Sequence, residues 1–219
     1  MFRRKKVDPA DGGTEPAADE GDPDEGVAGP DPRAHGPWDV SEVSLAEDDP
    51  SRLDLGSLLV TAQETLEVQL QVEEQSGQVA AVLLAGEEGA AELRAFAAPR
   101  HGDIWDDVRR AVSAEVAQLG GTASEEEGVF GTDLVVALPL QLPDGQHAQQ
   151  ISRVVGIPGP RWLLRATLFG RPAVEYREDG DIESAVRDVV VVRGSVPVPP
   201  GDPLPLTMPP NAEPMAPRG

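Results

Sequence analysis

Leu66-Glu67-Val68-Gln69-Leu70-Gln71-Val72-Glu73 alternates apolar and polar side chains without a break. A strand turns successive side chains to opposite faces, so this run has the period of a half-buried β-strand and gives no apolar stripe to a helix. Gly77 interrupts it. Residues 79–85 are apolar enough for a more buried strand, and Glu87-Glu88-Gly89 turns the chain into a third strand carrying Leu93. The run and its neighbours therefore read as an antiparallel meander.

Reading onward, Asp103 stands as an N-cap ahead of Ile104, Val108, Val112 and Val116, which share one helical stripe, and Asp106 and Asp107 favour the positive end of the helix dipole. Gly120-Gly121 ends that helix. Leu134, Val136, Leu138, Leu140 and Leu142 alternate through a long strand, in which Pro139 argues for an edge or a bulge because proline cannot donate to a ladder. Pro143-Asp144-Gly145 predicts a hairpin turn. The partner strand runs to about Ile157, and Pro158-Gly159-Pro160 redirects the chain into another, with Trp162, Leu164, Ala166 and Leu168 on one face. A second helix is predicted from Asp181 to before Gly194, with a strand over Val189 to Val192 as the competing reading.

These elements predict an α+β fold, a single domain over residues 36–194 made mainly of antiparallel sheet with two helices. Three strands and a helix occur twice in it. Leu93-Arg94-Ala95 returns as Leu164-Arg165-Ala166, and Gly102-Asp103-Ile104 returns as Gly180-Asp181-Ile182, which suggests a duplicated βββα unit. Any capped amphipathic helix shows Asp followed by apolar residues at helical spacing, so chance accounts for much of the helix match.

The flanks differ in kind. Residues 1–35 open with Arg3-Arg4-Lys5-Lys6 and continue in Asp and Glu among Pro, Gly and Ala, which predicts a disordered basic-then-acidic arm. Residues 195–219 form a Pro-rich tail expected to be extended, whose Val196, Val198, Leu204 and Leu206 offer it a way to dock on the core. Trp38, in Gly36-Pro37-Trp38-Asp39, is expected to pin the root of the arm.

Composition narrows the chemistry. At 219 residues with 39% hydrophobic and 4% aromatic side chains, one core is affordable and two are not. The absence of cysteine excludes disulfides, thiolate nucleophiles and Cys-based metal centres. His35, His101 and His147 stand far apart without ligand spacing, and no Gly-x-Ser-x-Gly elbow or phosphate-cradling Gly-Lys-Ser run occurs, so no cofactor, metal or catalytic residue is expected. No run approaches the roughly 18 apolar residues of a membrane span. The basic start leads into acids rather than an apolar segment, so the expected location is the cytoplasm, with no membrane contact.

The formal net charge is -21, and with five basic and nine acidic side chains in residues 1–35, residues 36–219 still hold 13 basic against 30 acidic, or -17. Such a chain repels nucleic acid and anionic lipid except at a local patch. Residues 146–173 are that exception, with Arg153, Arg161, Arg165 and Arg171 and no acid. With Phe169 they are expected to form a binding strip on a sheet face, suited to guanidinium pairing and stacking. The competing reading has the second helix, with Glu183 and Asp188, cover that face and pair the arginines internally. The function expected is a non-enzymatic interaction or scaffold-type module whose partner is a protein with an acidic or apolar surface. The alternative is a nucleic-acid or nucleotide accessory protein using the strip at residues 153–171.

Several stretches carry a family likeness: Gly36-Pro37-Trp38-Asp39-Val40, Leu53-Asp54-Leu55-Gly56-Ser57-Leu58, Gly159-Pro160-Arg161-Trp162-Leu163-Leu164-Arg165 leading to Leu168-Phe169-Gly170, and Val189-Val190-Val191-Val192-Arg193-Gly194 before the Pro-rich tail. From residue 36 to about 206 the chain resembles the actinobacterial family catalogued as domain of unknown function 3710. The resemblance implies no reaction, cofactor or catalytic residue.

Overall fold

The alternating run is strand β4 (Glu67–Val72), and it forms one edge of a seven-stranded antiparallel sheet. This computed structural model describes residues 32–45, 49, 51–142 and 145–209. The arm over residues 1–31, the tip of the turn at 143–144 and the end of the tail from 210 lie outside them. β5 (Val79–Ala85) and β6 (Gly89–Ala97) complete the expected meander. β7 (Thr122–Gly128), β8 (Gly131–Gln141), β9 (His147–Gly159) and β10 (Trp162–Gly170) form a second one, and β6 joins β10 to give the order β4-β5-β6-β10-β9-β8-β7.

β7 occupies Glu125-Glu126-Glu127, which have none of the apolar alternation of the strands predicted from sequence; it forms because β8 offers it an open edge. β8 pairs with β7 only as far as Ala137, so Pro139 sits where one flank has no β7 neighbour and the missing N–H costs no ladder bond.

Arg94 lies directly opposite Arg165 where β6 meets β10, so the two Leu-Arg-Ala segments run antiparallel across the middle of the sheet. The expected repeat is matched at these two segments, but the first meander has three strands and the second four. The helices do not follow the repeat. α1 (Trp105–Gln118) packs through Trp105 and Val116 on the face that carries Leu134, Val136, Val154 and Leu163. α3 (Asp181–Arg187) packs through Ile182, Ala185 and Val186 on the opposite face, with Leu93, Leu164 and Ala166. The N-cap of α1 is Ile104 rather than the predicted Asp103, whose carboxylate, one residue earlier, accepts from the Trp105 N–H at 3.1 Å.

The α3 face holds the larger core. A four-stranded sheet of β1 (Trp38–Asp39), β11 (Val190–Val191), β3 (Leu58–Thr61) and β2 (Arg52–Asp54), in that order, contributes Leu58, Val60 and Val191 to it beside fully buried Trp162. The second helix therefore ends at Arg187, six residues short of the predicted limit before Gly194, and the competing strand reading is realised at Val190–Val191, which bridge β1 and β3. Burial decides the matter: Val189, Val190 and Val191 are all fully enclosed, which a strand between two neighbours achieves and a surface helix does not.

After Gly194 the extended chain lies along the end of β6. The Leu204 N–H donates to Ala95 O at 2.8 Å, Ala97 N–H to Asp202 O at 2.9 Å, and Thr207 N–H to Leu55 O at 2.9 Å. Leu204 is buried and Val198 and Leu206 pack on the same core, while Val196 stays exposed.

Candidate functional site

The expected arginine strip is not one surface. Arg153 stands opposite Leu168 in the β9–β10 ladder and so shares the α3 face, whereas Arg165 and Phe169 alternate onto the α1 face. Arg153 donates to Glu126 at 2.9 Å, to Asp133 at 3.4 Å and to Ala173 O at 3.1 Å. Arg171, in the short helix α2 (Arg171–Val174), gives two bonds to Glu183 at 2.6 and 2.9 Å and one to Glu88 at 2.8 Å. These two arginines are thus paired internally, by Asp133, Glu126 and Glu88 as well as by Glu183 of α3; Asp188 takes no part in these bonds.

Arg165 lies over the Phe96 ring at 5.4 Å; burial, and then the neighbouring Arg94, pull its pKa below the usual guanidinium value. Phe169 is half-buried. Arg161 is exposed at the two-residue β9–β10 turn with a φ of 64°, and its carbonyl accepts from Ala98 N–H at 2.9 Å and Arg193 Nε at 3.2 Å. That φ is uncommon for a residue with a Cβ.

Trp38 is half-buried in β1 and donates its backbone N–H to Val189 O at 2.9 Å. The deeper contacts at the arm's root belong to its neighbours. Asp39 accepts from Trp162 Nε1 at 2.8 Å, and Arg33 lies over the Trp162 ring at 5.3 Å. Burial raises the Asp39 pKa, yet the bonds from Ser41 and Trp162 together with Arg33 bring it net below the ordinary carboxylate value.

What the fold does assemble is a cleft on the α3 face, about 280 Å³ in volume, between the β7–β8 hairpin and the α2–α3 segment. Gly128 and Gly131 oppose each other across a two-residue turn, Val129-Phe130. Val155, Ala166 and Leu168 supply apolar wall, and Phe130 and Tyr176 stand at the mouth. Arg187 lies over both rings, at 5.4 Å from Phe130 and 5.8 Å from Tyr176, and donates through Nε to the Tyr176 hydroxyl at 2.9 Å. One cation thus bridges the hairpin turn to the opposite wall.

Two buried carboxylates line the cleft, and their environments push them apart. Burial raises Glu183, but the Arg171 bonds and the Arg177 N–H outweigh it and its pKa falls below the ordinary value. Asp133 goes the other way. Burial pushes its pKa up to about 6, Arg153 opposes this, and Glu126 and Glu127 add to the rise. Gly128 packs so closely on this carboxylate that a Cβ there would overlap it. Asp133 Oδ1 is buried and accepts no hydrogen bond. An acceptor left so is costly, and a perturbed carboxylate in a cleft marks a candidate site.

Neither Asp133 nor the Phe130, Tyr176 and Arg187 group was among the residues expected from sequence. Asp133 had a signal: it occupies an inward position of an apolar strand, in phase with Val135 and one residue before Leu134. The rim had none, because Phe130 and Tyr176 lie 46 positions apart in loops. His35, His101 and His147 are exposed, and among the described residues no group of three His, Cys, Asp or Glu is placed to hold a metal ion. No helix of the described residues is long and apolar enough to cross a membrane.

No curated protein matches the chain. A family model described as "Protein of unknown function (DUF3710)" matches residues 36–215, which takes in the β1 root, both sheets, the cleft and the docked tail. The chain belongs to that family.

Proposed function

We propose that this domain is a non-enzymatic interaction module of the cytoplasm whose partner is a protein, and that the partner engages the cleft between the β7–β8 hairpin and the α2–α3 segment. The observation that carries this reading is the buried Oδ1 of Asp133, an acceptor without a donor in a cleft walled by Val155, Ala166 and Leu168. A concave apolar site with a few polar groups is the usual form of a recognition pocket. The partner surface differs from the one the sequence suggested. With Arg153 and Arg171 neutralised by carboxylates, an acidic partner or a nucleic acid finds little free guanidinium on this face.

The test is site-specific photocrosslinking in native cells. Val129 is 42% exposed at the mouth of the cleft, and Arg110 is exposed on α1, on the opposite face. A photoreactive residue at position 129 should trap a discrete partner that one at position 110 does not. Equal trapping from both positions, or none from position 129, overturns the proposal.

A further inference from the structure

Three carboxylates and one guanidinium line the cleft, namely Glu127, Asp133 and Glu183 against Arg153. Their compensation is uneven. Glu183 is closed by two bonds from Arg171. Arg153 gives its shorter ionic bond to Glu126 and reaches Asp133 only through Oδ2, at 3.4 Å. Oδ1 is left with no donor at all, and a charged oxygen in that state costs more than an ordinary hydrogen bond returns. Negative charge at the bottom of an apolar wall is the complement of a cation on an aliphatic stem.

We infer, building on the interaction-module reading above, that the cleft receives the side chain of a lysine presented by the partner protein, its ammonium donating to Asp133 Oδ1. The choice of lysine over arginine follows from the acceptor. A guanidinium binds a carboxylate best through both oxygens, and here Arg153 already faces Oδ2, so a single oxygen is on offer to a point donor. The four-carbon stem lies along Val155, Ala166 and Leu168. A volume of about 280 Å³ suits one long side chain and falls below the range of roughly 300–1,000 Å³ typical of larger ligands. The rim is already built for a cation, since Phe130 and Tyr176 hold the Arg187 guanidinium between them. Entry displaces the Val129-Phe130 turn, and the net charge of -21 draws a basic partner from a distance.

The experiment titrates the full isotope-labelled chain with Nα-acetyl-lysine N-methylamide, its Nε-acetylated form, and the norleucine and arginine counterparts, following the backbone amides of Gly128, Phe130 and Tyr176. The lysine compound should shift these amides, and the three others should bind at least about tenfold more weakly, the step expected for losing one charged hydrogen bond. In Asp133→Asn, which preserves side-chain shape, the preference for lysine should vanish while amides remote from the cleft stay in place. If norleucine or arginine matches lysine, or if Asp133→Asn keeps the preference, the lysine assignment is overturned. If none of the compounds moves the cleft amides but position 129 still traps a partner, the lysine assignment fails and the module reading stands. If both signals are absent, both fail.

Discussion

Asp133 and Glu183 show how one cleft gives two carboxylates opposite relations to pH. For Asp133 the folded pKa, about 6, lies above its ordinary value of 3.8, so the native state holds the proton more tightly than the unfolded chain does. Its favourable contribution is full below about pH 4 and is lost as pH rises through 6. Glu183 is depressed in the fold, so its contribution is present above its ordinary value of 4.5 and is lost on acidification. Groups facing Asp133 are Arg153 on β9 and Glu126 and Glu127 on β7. Asp133→Asn removes the cost of keeping this carboxylate ionised, and should stabilise the protein by about 1–3 kcal/mol at pH 7.5. Urea melts of both proteins should converge near pH 4. A difference that stays constant between pH 4 and 7.5 would place the origin of the effect elsewhere.

At the scale of elements, α1 is fixed by a hole rather than by a bump. Gly156 on β9 has no side chain, and the Trp105 ring lies where its Cβ would be, while Trp105 Nε1 donates to Thr132 O at 2.7 Å. Gly156→Val should therefore destabilise the fold by about 1–3 kcal/mol through overpacking, measured by chemical denaturation, and should release the near-ultraviolet circular dichroism of Trp105. An unchanged midpoint would mean that α1 shifts at no cost. The sequence announced α1, because Ile104, Val108, Val112 and Val116 keep helical spacing, and it announced β4, because polar and apolar residues alternate there. It did not announce β7, whose Glu125-Glu126-Glu127 has no apolar rhythm and becomes a strand only because β8 leaves an edge open. The arginine strip failed for a related reason. Sequence adjacency gathers Arg153, Arg161, Arg165 and Arg171, but the two-residue period and the turn at Pro160-Arg161 send them to different faces and ends. Asp133 was visible as an acid in an apolar strand, yet its want of a donor depends on what Gly128 and Arg153 do in space.

For the molecule as a whole, the Pro-rich segment is part of the body as far as it is described. Leu204 enters the main core, and residues 202–207 bond to β6 and to Leu55. A chain shortened to end at Gly194 loses Leu204, worth about 1.5–3 kcal/mol of burial, and bares the end of β6. It should melt earlier than the full chain and scatter light on standing, whereas a chain ending at Pro209 should do neither. Equal melting of all three would show the docking to be energetically idle. The charge acts at this scale as well: 30 acidic against 13 basic side chains over residues 36–219 give a field that neutralising single pairs does not erase, so a basic partner should associate faster at low ionic strength.

The indole of Trp162 is fully enclosed, gives its N–H to Asp39 and lies beneath Arg33, where the chain enters the domain. Trp105 sits against β9 and Trp38 on the small sheet, so the three fluorophores occupy three unlike surroundings. The protein therefore carries its own optical gauge of whether that entrance is intact: any event that pulls residues 33–39 away wets the Trp162 ring and lifts Trp38 off the small sheet, reddening the emission with no label attached.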